Sequence, residues 1–307
     1  MAKSLKQYSP FLQLMILIGL FISFSILAVI FDSIITPIVS GYKVTDLRDA
    51  DMSLPKVLII LKIFAVTEPI IVYMLPAMLF TMLISAKPIE WLQVDKSLKW
   101  QAVVLIVLIM LAILPMQGFL NEWNHTWNLS EVSRRMDERN RDMLKALTKA
   151  SGFTSLLVNI LLITTASTLT KAFFFQGVLQ KLVIQLMPGF PWIGVIITSV
   201  IFGVSSFDGY LFISQFLLCL QLGIIVYLTG NLWFAVLGHF IAGVVTMVLL
   251  YLYQIGVLLQ DPIQYSGIAW YSAVISFIIT TALIWYLRKK WPKPVVIIED
   301  VEVIGSN

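Results

Sequence analysis

Charge is what this 307-residue sequence has least of: 12% of its residues are charged, against 59% hydrophobic. A soluble domain needs roughly a quarter of its residues charged to cover its surface, so a soluble globular fold is excluded. A single cysteine, Cys219, rules out an intramolecular disulfide. It stands in an apolar run and carries no information about redox compartment. The two histidines, His125 and His239, are far apart and no HExxH occurs, which removes the usual histidine-based zinc spacings. P-loop, GxGxxG-before-helix and GxSxG patterns are also missing, so no cofactor is expected. The formal net charge of +4 is too small to imply nucleic acid. In a membrane protein such an excess serves as an orientation signal.

What replaces charge is apolar length. Runs near 11–39, 57–85, 100–120, 153–186, 191–206, 211–229, 231–255 and 267–288 approach or exceed the roughly 20 residues needed to span a bilayer. The expectation is an all-α polytopic membrane protein of about eight transmembrane helices. The first run follows a basic start, is too long for a signal-peptide core and lacks a small-residue cleavage site, so it reads as a retained helix. Lys3, Lys6, Lys87, Lys96, Lys99, Lys181, Arg288, Lys289, Lys290 and Lys293 then share one side. The positive-inside rule makes that side cytoplasmic, with both termini there. Trp91, Trp100, Trp123, Trp127, Trp270, Trp285 and Trp291 lie near span ends, as interfacial anchors do.

This divides the chain into N-terminal spans (1–128), a charge-rich segment (129–150), a core (151–255), a last span (256–290) and a cytoplasmic tail (291–307). The segment LSEVSRRMDERNRDMLKALTKA places Val132, Met136, Met143 and Leu147 on one helical face. It reads as an amphipathic helix on the non-cytoplasmic side with a solvated charged face. Asn124-His125-Thr126 and Asn128-Leu129-Ser130 match glycosylation sequons, and His125 is expected at the surface of that polar loop.

Polar residues inside apolar runs mark interiors. On a helical wheel at about 100° per residue, Thr164, Thr165, Ser167, Thr168, Lys171 and Gln176 share one half of the fourth span. That stripe faces other helices. Lys62, Glu68, Ser205, Ser206, Asp208 and His239 are the other polar residues in or closing the spans. A bare charge at mid-membrane costs roughly 2.5–3.5 kcal/mol, so Lys171 is expected to pair with Glu68 or Asp208.

Three segments carry a family resemblance. AFFFQGVLQ (172–180), FGVSS (202–206) and TGNLWFAVLGHF (229–240) resemble, in order and spacing, the motifs of the CPBP intramembrane proteases. That family comprises the type II CAAX endopeptidases and bacteriocin-immunity relatives, with Glu-Glu-x-x-x-Arg, Phe-x-x-x-His and His-x-x-x-Asn motifs. The resemblance covers about residues 150–250 and implies a CAAX-protease-like helix bundle in a bacterial inner (plasma) membrane. Here Lys171 and Ala172 stand at the two glutamate positions, Gln176 at the arginine, Ser206 at the first histidine and Gly243 at the asparagine, while His239 is retained. The resemblance implies that a motif glutamate activates water while histidine and asparagine engage the substrate carbonyl. A general base contributes about 10²–10⁴-fold, and Ala172 cannot supply one.

The reading is a CPBP-like pseudoprotease binding a membrane protein, a prenylated or hydrophobic peptide, or a lipid. The expected cavity comprises Glu68, Lys171, Gln176, Ser206, Asp208 and His239. The alternatives are an endopeptidase with non-standard residues, such as a Ser206–Lys171 pair, and a transporter, although no inverted repeat is visible. Oligomeric state is left open.

Overall fold

Helix boundaries fall where the sequence supplies caps. The computed structural model describes residues 5–48, 50–52, 54–206, 208–263 and 267–291; most of the expected 291–307 tail, with Lys3 and Lys293, lies outside them. Helix α1 (Pro10–Ser40) starts with Ser9 Oγ accepting from Leu12 N (3.3 Å) and Pro10 in the first turn. It ends on Gly41, whose φ of 80° is the left-handed conformation that glycine adopts without a Cβ clash. Helices α2 (Pro55–Ile84) and α3 (Trp100–His125) complete the N-terminal set. Helix α4 (Glu131–Thr148) opens on Ser130, whose hydroxyl accepts from Ser133 N (3.2 Å). After it come α5 (Phe153–Leu186), α6 (Pro191–Val204), α7 (Phe212–Thr229), α8 (Leu232–Gln254) and α9 (Trp270–Lys290). Asn231 caps α8, its Oδ1 accepting from Trp233 N (3.0 Å).

Seven of these helices are long and apolar enough to cross a membrane: α1, α2, α3, α5, α7, α8 and α9. The chain is an integral membrane protein. The expected eighth, near 191–206, is α6 with 14 residues, about 21 Å long against roughly 30 Å of hydrocarbon. It nonetheless connects opposite ends of the bundle. Just beyond its C-terminus, Gly209 O accepts from Asn124 Nδ2 (3.1 Å) at the end of α3. Helix α5 begins at that same end, beside α4, where Asn159 Nδ2 reaches Thr148 O (3.4 Å). It finishes at the other end, where Lys181 Nζ donates to Trp91 O, and α6 returns from there. That second end is tied by Trp233 Nε1 to Val94 O (2.8 Å) and Lys96 Nζ to Gly230 O (2.7 Å).

The main core packs Phe80, Ile106, Ile109, Met110, Phe175, Leu182, Leu222, Ile225 and Phe234, drawn from α2, α3, α5, α7 and α8. Three π-helical turns interrupt it: Ile70–Met74 in α2, and Ile160–Thr164 and Phe173–Leu179 in α5. Such turns insert an extra residue and are frequent at functional sites. Each shifts the angular phase of the residues C-terminal to it, so a 100° wheel drifts across α5. Thr164, Thr168 and Gln176 are buried as the wheel implies, whereas Thr165 is exposed.

Helix α4 departs from its expected role. Leu147 and Met143 pack against Leu47, Val57, Ile60 and Leu61, but Val132 and Met136 are exposed. The residue buried instead is Asp137, at 2% exposure. The charged face is therefore partly a packing face, because neighbouring elements supply partners for it.

Candidate functional site

Lys171 lies near the middle of α5, two residues before the Phe173–Leu179 π turn. It is partly buried, and its Nζ stands 5.9 Å from the Phe202 ring centroid. Among the described residues it makes no ion pair and no hydrogen bond. The same Phe202 ring meets His239 edge-on at 6.0 Å and Phe175 at 4.7 Å. His239 is 8% exposed and its Nδ1 has no hydrogen-bond partner among the described residues. Phenylalanine at 202 thus joins α5, α6 and α8 around one amine and one imidazole. Phe174 and Phe175 extend the aromatic wall to Tyr73 on α2, each ring at 5.6 Å.

Both expected counter-charges are engaged elsewhere. Glu68 shares a hydrogen bond with Asp32 of α1, because α1 packs along α2 and presents its single charged residue there. The two carboxyls face each other rather than Lys171, with which neither forms an ion pair among the described residues. Nearby, Ser205 Oγ donates to Phe202 O (2.7 Å). Asp208 accepts from Asn140 Nδ2 (2.8 Å) and from Tyr210 N (3.0 Å), so it belongs to the α4 cap. Lys62, also in α2, donates to Asn159 Oδ1 (3.0 Å).

The remaining motif positions are equally committed. Gln176 is 1% exposed and donates to Cys219 Sγ (3.2 Å), leaving its Oε1 unpartnered. Ser206 donates to Gly203 O (2.9 Å), closing α6 rather than facing Lys171. Ala172 is fully buried. At Gly243 an added Cβ would come within 2.5 Å of Thr164 Cγ2, so Thr164 fills the space where an asparagine side chain would start. Of the six residues expected to share one cavity, only Lys171 and His239 converge on one ring. Glu68 lies with Asp32, while Ser206, which also donates to Asp208 O (3.4 Å), lies with Asp208 at the end of α6.

A second polar cluster, at the α4 end, was not anticipated. Asp137 Oδ2 takes Arg141 Nη2 at 2.8 Å and faces His125 Nε2 at 3.5 Å. His125 Nδ1 pairs with Asn121 O (3.0 Å), and its ring lies 4.6 Å from that of Tyr210. Burial pushes the Asp137 carboxyl above the usual carboxylate range, against the pull of Arg141 and His125, with Asp208 adding a smaller push. His125 is thus part of a packed cap, not a loop surface. Asn124 is fully buried, its amide held by Gly209 O and Ile213 N, so the first sequon is inaccessible in the folded chain. Asp32 was the other residue missed, although a lone acid in a 31-residue apolar helix was a legible signal.

No group of three or more His, Cys, Asp or Glu among the described residues is placed to hold a metal ion. No curated protein and no solved structure matches the chain. The family model for type II CAAX prenyl endopeptidase Rce1-like proteins matches residues 153–245, from the start of α5 to the middle of α8. That stretch holds the Lys171–Phe202–His239 grouping and every motif position. The segment that builds this site is thus the part of the chain similar to the Rce1-like type II CAAX prenyl endopeptidases.

Proposed function

We propose that this chain is a non-catalytic CAAX-protease-family membrane protein that uses the interior of its bundle to bind a membrane protein, peptide or lipid. The observation carrying this reading is the state of the motif positions. They hold Lys171, Ala172, Gln176, Ser206 and Gly243, with neither a carboxylate to activate water nor a guanidinium to hold one. Gln176 is spent on Cys219 and Ser206 on a helix carbonyl. His239 retains a free ring nitrogen suited to donating to a bound oxygen, but the general base it would serve is missing. The Ser206–Lys171 alternative needs a contact of about 3.2 Å or less, and the Ser206 proton is directed away. Basic residues at the Lys96–Lys181 end favour a cytoplasmic placement of both termini, in a bacterial inner membrane.

The test is reconstitution in liposomes with a mixed peptide and prenyl-peptide library, wild type beside Lys171→Ala and Ser206→Ala. No turnover is expected, together with photocrosslinking of a ligand from a site engineered next to Lys171. Cleavage by wild type that either substitution abolishes would overturn the proposal.

A further inference from the structure

An ammonium near mid-membrane without a counter-charge is the least settled group in the bundle. Lys171 is about 27 Å along α5 from Phe153 and about 22 Å from Leu186 at 1.5 Å per residue, so neither interface is within easy reach of its side chain. Burying one charge alone is far costlier than burying a pair. Glu68 and Asp208 are bound elsewhere, and the Phe202 face at 5.9 Å offers only a weak cation–π contact. Beside it, on the same ring, the Nδ1 of His239 is buried and unpartnered. A buried nitrogen left without a hydrogen bond loses the contact it had with water. One anion with two oxygens satisfies both groups, one oxygen on the Lys171 amine and the other on a His239 N–H.

From this we infer that Lys171 and His239 form a binding site for the carboxylate of a single-chain fatty acid, with Phe175 and Phe202 flanking the first carbons of its tail. The inference rests on the non-catalytic binding function proposed above and names its ligand. One ammonium matches the single charge of a carboxylate, whereas a phosphomonoester carries about 1.5–2 charges at neutral pH. The phosphate of a two-chain phospholipid sits at the interface, on the order of 15 Å from the midplane of a roughly 30 Å core. A peptide C-terminus would bring backbone N–H and C=O groups that need partners at this depth. An acyl chain brings none, and the walls offered are aromatic rings.

The probe is a photoactivatable palmitate analogue, applied to the full chain in nanodiscs and competed by palmitate, methyl palmitate, hexadecanol or an apolar peptide acid. Palmitate is expected to suppress labelling at least ten-fold better than its ester or alcohol. Lys171→Met should lower labelling at least ten-fold, and Lys171→Arg should keep most of it. Because Lys171→Met removes an unpaired charge, this variant should unfold at a higher temperature than wild type without ligand. Palmitate should raise the unfolding temperature of wild type and leave that of the variant unchanged.

Equal competition by ester and acid would overturn the inference, as would wild-type labelling of Lys171→Met or preferential displacement by the peptide acid. Peptide cleavage by wild type, with labelling still dependent on Lys171, would sink the non-catalytic reading and leave the acyl site standing. Labelling indifferent to Lys171, with no cleavage, would sink the acyl site alone.

Discussion

The interior of the Rce1-like segment and the α4 cap are both polar clusters in an apolar protein, and they are built on opposite plans. In the cap, Asp137 meets Arg141 and His125, Asp208 meets Asn140, and Lys145 meets Asp261 at 2.5 Å. In the interior, Lys171 and one nitrogen of His239 have no partner among the described residues. The cap pairs its charges, although Asp137 Oδ1 accepts no hydrogen bond, and such pairing holds helices in register; a cluster whose cation has no counter-charge is poised for a ligand. The contrast separates two meanings of the same residue types. It also explains why the cap ties α4 to the 208–210 turn, whereas the interior is framed by rings alone.

Substitutions in each cluster test that contrast. The largest effect is expected from Phe202→Ala, which removes the ring shared by Lys171, Phe175 and His239. Truncating a buried phenylalanine costs about 3–5 kcal/mol, read as a lower unfolding temperature in detergent. A neutral result would mean that the aromatic frame is dispensable. Next comes Asp137→Ala, which strips the cap of its central acceptor. A loss of about 2–3 kcal/mol is expected, below the full value for a buried pair because Arg141 keeps some contact with water. If the cap is purely structural, this substitution leaves the palmitate labelling of Lys171 unchanged.

Gly243→Asn should cost about 1–3 kcal/mol by overpacking against Thr164, and Thr164→Ala in the same chain should recover most of it. Full tolerance of Gly243→Asn alone would show that the family's asparagine still fits. The smallest effect concerns pH. The folded Asp137 carboxyl is held above its ordinary 3.8, mainly by burial, so the folded state takes up its proton at a higher pH than the unfolded chain does. The contribution of Asp137 to stability therefore falls as pH rises through the window just above 3.8. Spin-label distances between α4 and α8 should tighten on the acidic side of that window, and Asp137→Asn should abolish the change. A shift of the opposite sign would mean that Arg141 and His125 outweigh burial.

Much of the fold was legible because membrane burial leaves a one-dimensional signature. Apolar runs located all seven long helices, and the Gly230–Trp233 turn located the start of α8. The expected span at 191–206 also exists as a returning helix, shortened to Pro191–Val204 because Ser205 and Ser206 leave it, Ser206 Oγ donating back to Gly203 O. The site was legible only by position. The sequence placed Lys171, Gln176, Ser206 and His239 at motif positions, but a helical wheel assumes a constant turn. The π turns at 160–164 and 173–179 break that assumption. Hydrogen-bond commitments, such as Gln176 to Cys219 across α5 and α7, depend on which helices are neighbours and leave no trace in spacing.

Composition and residue order already place this chain in a membrane and show that its Rce1-like motif positions lack acid, arginine and asparagine. Composition and residue identity are local properties, and no fold can restore a missing carboxylate. The tertiary structure alone decided which polar groups are paired. It assigned Asp32 to Glu68 and Asp208 to Asn140, and left Lys171 and His239 together on one phenylalanine ring without a counter-charge among the described residues. Pairing depends on distances of a few ångströms between helices remote in the chain, and those distances are fixed only when the bundle packs.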